Sequence, residues 1–391
     1  MKQGWEIKKL GEVCYFQNGF AFKSNTFTDR GEPILRISDI QNDEIIESKM
    51  VFFNPKSYPE DLSRFLVYPN DIVIAMSGGT TGKIGINKTN KTFYLNQRVG
   101  VFRENPNLLN HQYLYYFLKT KSEESLNLAA GAAQPNLSTV QINAFEIPTP
   151  SLAEQERIVE ILDREFERID ALKVNAEQNL QHAKDLFQSA LRQELQPKEG
   201  WVSKTVGEVC TLKSGNSNAN NSSIGTLPFV KVGDMNIQGN EEEITCSTMY
   251  VSREENIRGI FPIGSVIFPK RGGAILTNKK RITATEICCD LNIMGVYSNG
   301  DVIPNLLYFY FLGVDLSEIY NGAAIPQINN GDIAPLNISF PKEIVEQQNI
   351  VDKLNSLKLS CKVLEENYTK TIALCDDMKQ ALLRKAFNGG L

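Results

Sequence analysis

The sequence predicts a mixed α/β (α+β) protein: two similar β-rich domains separated by two long antiparallel helices that form a coiled coil. Three observations predict it. The chain of 391 residues repeats itself with a period of about 195 residues. Each copy opens with short β-type runs between Gly, Pro and Asn turns. Each copy closes with a long stretch almost free of Pro and Gly, whose apolar residues recur in steps of three and four. The boundaries follow: a β-rich domain over 1–150, a central helix over 151–196, a second β-rich domain over 197–342 and a C-terminal helix over 343–391.

The repeat is collinear. GWEIKKLGEVC (4–14) returns as GWVSKTVGEVC (200–210), and the only two tryptophans, Trp5 and Trp201, stand at the same distance before Gly-Glu-Val-Cys. PILRISDI (33–40) returns as PFVKVGDM (228–235), and YPNDIVIAMSGG (68–79) as FPIGSVIFPKRGG (261–273). RVGVF (98–102) matches IMGVY (293–297), YYFL (115–118) matches FYFL (309–312), and GAAQPNLS (131–138) matches GAAIPQIN (322–329). EQERIVEIL (154–162) matches EQQNIVDKL (346–354). A period this long means two whole domains rather than a solenoid, whose repeats run roughly 20–50 residues.

Within each copy the β-type runs, such as VFF, DIVIAM, TFYL and RVGVF, precede an aromatic helix, HQYLYYFLKT in the first copy and NLLYFYFLG in the second. The long helices come last. The seam of the first runs through Ile158, Leu162, Phe166, Ile169, Leu172, Leu180 and Phe187; that of the second through Ile350, Leu354, Leu357, Leu364, Ile372, Met378 and Leu382. Such narrow stripes pack in pairs. The first helix is about 60 Å long at 1.5 Å per residue, and the two stop before Pro197 and Gly389.

Composition sets bounds on function. Hydrophobic residues make up 42% and charged residues 22%, as in a globular protein. No apolar stretch approaches the ~18 residues of a membrane span, and the N-terminus has no signal-like apolar region, so a cytoplasmic protein is expected. The seven cysteines form no Cys-x-x-Cys pair, which fits a reduced compartment. With two histidines, His111 and His182, little is available for histidine catalysis or metal binding.

One stretch, AMSGGTTGKIG (75–85), looks like a phosphate cradle. The motif requires Gly, four residues, then Gly-Lys-Ser/Thr. Here Ser77 replaces the first glycine and Ile84 the hydroxyl residue, and the second copy, PKRGGAILTNKKR (269–281), has no Gly-Lys at all. The reading is a glycine turn at a strand end. A nuclease-like arrangement (Asp39 or Asp43 with Glu47 and Lys49) has no counterpart in the second copy, and the Asn54–Tyr58 segment breaks the adenine-methyltransferase pattern. Asp39 and Asp234 are matched and read as turn caps.

What both copies keep is basic charge. Between Ile72 and Arg103 stand Lys83, Lys88, Lys91, Arg98 and Arg103 with no acid; between Phe261 and Thr285 stand Lys270, Arg271, Lys279, Lys280 and Arg281, again with no acid. The net charge is nevertheless −5, with the acidic excess elsewhere: residues 151–195 carry ten acids against six Lys and Arg. This segregation is the electrostatic footprint of a nucleic-acid-facing surface. The candidate DNA contacts are Lys23, Arg36, Thr81, Lys83, Lys88, Lys91, Asn96, Gln97 and Arg98 in the first copy. In the second they are Lys213, Lys231, Lys270, Arg271, Asn278, Lys279, Lys280 and Arg281. The amides and hydroxyls among them, with Asn87 and Thr89, are of the types that read base edges.

Together the two GW…GEVC openings, the GAAQP and GAAIP segments and the P…EQ…IV…L entry into each helix resemble one family: the DNA-specificity subunits of Type I restriction-modification systems. The resemblance spans essentially the whole chain. It implies two target recognition domains, each reading one half of a split sequence in double-stranded DNA. The helices become a ruler between them and a docking surface for two modification (methyltransferase) subunits. S-adenosylmethionine, ATP and Mg would belong to those subunits and to the restriction (translocase-nuclease) subunits, with no cofactor, metal or catalytic residue in this chain. The copies differ where specificity would lie: QNGFAFKSNTFTDR (17–30) is unlike KSGNSNANNSSIG (213–225). A ruler also implies that four residues inserted near Asn175 change the tolerated gap. The competing readings are a stand-alone DNA enzyme, which needs an acidic metal cluster or a cofactor loop, and a docking scaffold with no DNA role, which needs no salt-dependent DNA binding.

Overall fold

The computed structural model describes residues 4–130, 136–216, 225–254, 256, 259–320 and 326–391. The chain divides into two compact units: residues 1–176 with 370–391, and residues 177–369. The expected fold class is found: two similar β-rich lobes and two long antiparallel helices. Each unit combines one lobe with a part of both long helices. Most of the GAAQP and GAAIP segments, and 217–224 of the dissimilar loop, lie outside the described residues.

In the first unit a six-stranded sheet runs in the order Cys14–Asn18, Val99–Glu104, Ile72–Ala75, Ile84–Ile86, Glu44–Ile45, Ile40–Gln41. A five-stranded sheet runs Phe27–Thr28, Val51–Phe53, Glu32–Leu35, Phe93–Leu95, Leu66–Val67. The second unit has a five-stranded sheet, Cys210–Ser214, Ile293–Ser298, Val266–Pro269, Arg281–Thr283, Glu243–Ile244, and a four-stranded one, Tyr250–Val251, Leu227–Val230, Ile287–Cys289, Ile260–Phe261. The openings after each tryptophan pair with the strand that leads into a long helix: Glu6–Lys9 with Glu146–Thr149, and Trp201–Thr205 with Asn337–Pro341.

The aromatic helices, His111–Thr120 and Pro304–Gly313, lie where the sequence puts them. Asn110 caps the first by accepting from the Tyr113 N–H (3.0 Å). Both matched aspartates are buried turn caps, Asp39 accepting from Arg36 N–H (2.9 Å) and Asp234 from Lys231 N–H (2.8 Å). Burial alone would raise the Asp234 pKa. Hydrogen bonds from Lys231, Thr248 and Ser247 outweigh it and hold the carboxyl below its ordinary value.

The long helices are Leu152–Glu194 and Ile344–Phe387. Antiparallel pairing shows in each unit: Lys173 reaches Asp376 (2.8 Å) and Lys379 reaches Asp170 in the first, and Lys353 reaches Glu194 (2.5 Å) in the second. The seam is buried at Ile158, Leu162, Ile169, Ile350 and Leu354, and half-buried at Phe166, Leu180, Phe187, Leu357, Ile372 and Leu382. Three expected members are corrected. Leu172, Leu364 and Met378 are 47%, 38% and 50% exposed. The seam passes from Cys375 to Lys379, whose ammonium lies over the Phe166 ring (5.2 Å), and a step of three to Met378 falls on the outer face. No helix of the described residues is long and apolar enough to cross a membrane.

The Glu-Gln pair at each helix entry has a structural reason. Gln155 is wholly buried; its Oε1 accepts from Asn110 N–H (2.8 Å), and its Nε2 donates to the carbonyls of Leu108 (3.0 Å) and Pro150 (2.9 Å). Gln347 repeats this with Ile303 N–H and the carbonyls of Asp301 and Pro341, each at 2.9 Å. One side chain thus ties the strand end, the loop before the aromatic helix and the long helix together.

Candidate nucleic-acid interface

In the first unit the strand Ile72–Ala75 runs into the glycine turn. Gly78 and Gly82 have φ of +72° and +82°. A Cβ on Gly82 would lie 2.6 Å from the Ser122 carbonyl oxygen, because the helix Ser122–Ala130 is set against the turn. The N–H groups of Thr81, Gly82 and Lys83 donate to the carbonyls of Gly78, Ala75 and Thr80. The donors that a phosphate-cradling loop would present are therefore used inside the turn. Thr81 is buried, its hydroxyl on the Gly78 carbonyl (2.7 Å), which corrects its place among the DNA contacts.

The basic windows are acid-free along the chain but not in space. Lys88 pairs with Glu44 (2.8 Å) and Lys91 with Glu47 (2.7 Å), both from the neighbouring strand region. These exposed pairs are worth ~0–1 kcal/mol, so a phosphate could compete for either lysine. Lys83 and Arg98 are exposed and have no carboxylate partner among the described residues. Lys23 is also exposed. Arg36 is half-buried and holds its turn through Asp39 (3.4 Å) and the Lys49 carbonyl (2.6 Å). Asn87 is buried and clamps its loop through the carbonyls of Tyr68 and Lys91, and Thr89 donates to Asn87 Oδ1, so neither faces outward to read a base.

The second window is largely structural. Lys280 is 2% exposed, its Nζ held by the carbonyl of Val314 (2.5 Å) and Asn278 Oδ1 (2.6 Å), and burial pushes its pKa down to about 8. Asn278 sits in the left-handed region (φ +52°) and also accepts from Leu316 N–H. Arg281 donates to three carbonyls, of Asn240, Lys280 and Met235. Lys280, Asn278 and Arg281 are therefore corrected from DNA contacts to braces of the turn: positive charge counted along a chain does not reveal which cations fold back onto carbonyls. Lys279 bonds Asn236. Lys213 donates to the Ile260 carbonyl (2.9 Å) beside the Phe261 ring, and Lys270 to Ser214 Oγ (2.8 Å); burial lowers both ammonium pKa values. Lys231 and Arg271 remain exposed.

The structure also assembles a site that the sequence reading missed in part. In the first unit Asn18, Met76, Ser77, Gln97, Arg98 and Asn136 surround a notch of about 340 Å³ at the strand ends. Asn18, Ser77 and Asn136 are not among the DNA contacts that the sequence predicts; they come from distant parts of the chain. Ser77 bridges Asn136, and Arg271 bridges Gln327 in the same way in the second unit.

The comparisons with known proteins fit this doubled architecture. Residues 2–182 and 198–373 each match the Type I restriction modification DNA specificity domain. The StySPI specificity subunit of Salmonella potsdam is 25% identical, covering 100% of this chain and 90% of its own; the EcoKI specificity subunit of Escherichia coli strain K12 is 23% identical with the same coverage. Two solved structures show the same fold. A chain from a study of complex assembly and conformational transition of the type I R-M system gives a TM-score of 0.79 at 20% identity, covering 100% of this chain and 99% of that one. The HsdS subunit from Thermoanaerobacter tengcongensis gives 0.60 at 21%, covering 100% and 98%. With both of its copies matched to one domain type over most of their length, the chain belongs to the Type I restriction-modification DNA specificity family.

Proposed function

We propose that this chain is the sequence-reading subunit of a Type I restriction-modification complex and performs no chemistry itself. The observation that carries the reading is the doubled domain match along the chain, joined to two lobes of one design. Each lobe reads one half of a bipartite site in double-stranded DNA. The exposed cations Lys23, Lys83 and Lys231, with Lys88 and Lys91 once their acids yield, set position on phosphates and make affinity salt-dependent.

Two methyltransferase subunits dock on the helices, where Leu359 and Val363, and Leu374 and Met378, form exposed apolar pairs at i, i+4 spacing. Those subunits bring S-adenosylmethionine. The restriction subunits bring ATP and Mg, and the complex works in the cytoplasm.

The ruler is tested by adding one heptad to each helix, after Ala176 and after Thr369, so that the paired seams stay in register. Seven residues add about 10.5 Å, or about three base pairs of ~3.4 Å. Mapping methylated adenines in cells should show the gap widened by about three base pairs with both half-sites kept; an unchanged gap overturns the ruler.

A further inference from the structure

We propose that base edges are read at the strand-end notch of the first unit and at the equivalent strand ends of the second, with Arg98 in the first unit and Arg271 in the second each directed at a guanine. The inference rests on the specificity role proposed above and names the residues that would carry it.

The strand ends around the notch have the same backbone frame in both units. Met76 N–H bonds the Arg98 carbonyl where Lys270 N–H bonds that of Asn292, both at 2.8–2.9 Å. Leu137 N–H bonds the Met76 carbonyl where Ile328 N–H bonds that of Lys270. Gly19 and Gly215 mark a tight backbone crossing in each unit. A Cβ on Gly19 would lie 2.2 Å from the Leu95 carbonyl oxygen, and one on Gly215 would lie 1.9 Å from that of Asp290, so only glycine lets the outer strand cross there.

On this shared frame every side chain around the notch is exchanged. By these bonds Asn18 corresponds to Ser214, Met76 to Lys270, Ser77 to Arg271, Gln97 to Leu291, Arg98 to Asn292 and Asn136 to Gln327; the strand after Arg98 is thereby shifted one residue from the RVGVF–IMGVY match of the sequence, with Val99 rather than Arg98 the counterpart of Ile293. A frame kept under wholesale exchange of its polar rim is what two readers of unlike sequences need. A patch that only gripped phosphate would keep its cations in place.

The chemistry of the rim is that of base recognition. The Arg98 guanidinium has no hydrogen-bond or ion-pair partner among the described residues, and the buried Ser77 hydroxyl beside it is also unpaired. Arg271 uses Nε on Gln327 Oε1 (3.2 Å), which steadies the guanidinium and leaves both Nη groups without a partner among the described residues. A guanidinium so placed matches O6 and N7 of guanine in the major groove. Because arginine stands on one strand end in the first unit and on the adjacent strand end in the second, the guanine read would fall at different positions of the two half-sites.

The test selects duplexes with a random core on the full chain assembled with its methyltransferase subunits, followed by sequencing. The wild-type complex is expected to select a bipartite motif with a guanine in each half. Arg98→Gln is expected to erase the preference at one position of one half-site by roughly 5- to 150-fold, and Arg271→Gln at one position of the other. Thermal melting of each variant checks that it is folded; both side chains are exposed. Motifs unchanged in both folded variants overturn the notch while leaving the specificity role standing. A uniform loss over all sequences assigns the arginines to phosphate and also overturns it. A wild-type complex that selects no motif overturns the role itself.

Discussion

Gln155 offers the sharpest test of how the lobe is fixed to its helix. Gln155→Ala deletes three hydrogen bonds of 2.8–3.0 Å and leaves the Asn110 N–H and two carbonyls without partners in a site closed to water. An orphaned donor costs ~1–3 kcal/mol and the carbonyls about as much again together, so the loss lies within about 2–6 kcal/mol and centres near 4, a large part of a domain's ~5–15. Gln155→Glu keeps the acceptor but sets a carboxylate oxygen against two carbonyls, and should cost at least as much. The two tryptophans supply the assay, since Trp5 lies in the first unit and Trp201 in the second. In a Trp201→Phe background, urea unfolding followed by Trp5 fluorescence should show the midpoint of Gln155→Ala falling by about 1–2 M for a slope of ~2–3 kcal/mol/M. In a Trp5→Phe background Gln347→Ala should do the same to Trp201. A shift below ~0.3 M in either would refute the clamp.

The basic windows and the buried thiols give further tests. Lys83→Ala should weaken binding to duplexes of every sequence and reduce the salt slope by about 1, as removal of one phosphate contact does. Lys280→Ala should leave that slope unchanged and instead lower the urea midpoint, because its Nζ braces Val314 and Asn278; the opposite pattern would return Lys280 to the interface. Burial pushes the Cys14 and Cys210 thiols up to about 12. Their folded pKa lies above the unfolded one, so their contribution is complete below about pH 9 and is lost as pH rises from about 9 toward 12. Under reductant, wild-type stability should fall more steeply above pH 9 than that of a Cys14→Ala, Cys210→Ala variant; parallel curves would contradict the burial.

Much of the architecture was legible because it is written in local patterns. The repeat, the aromatic helices and most of the helix seam depend on spacing along the chain. Leu364 and Met378 misled because a step of three from Cys361 or Cys375 fits the period while falling on the outer face, which only the partner helix decides. The site was less legible. Glu44 and Glu47 reach Lys88 and Lys91 through strand pairing, and Lys280 is buried by the loop that follows an aromatic helix. The notch gathers residues from positions 18, 76–77, 97–98 and 136, of which only Gln97 and Arg98 stand among the contacts that the sequence predicts. The Glu-Gln pairs were visible as a motif, but their purpose needed the carbonyls they meet.

The fold units do not coincide with the repeated copies. Leu383, Ala386 and Phe387, from the end of the second copy, fill the core around Tyr113 and Phe117 of the first, and Leu191, from the end of the first copy, fills that of the second unit. A molecule holding a single copy would have a hole in its core where the other copy's helix end belongs. It could close that hole only by trading helix ends with a twin. A chain that carries both copies supplies each unit's missing helix end from within itself, so each copy is free to carry its own loops.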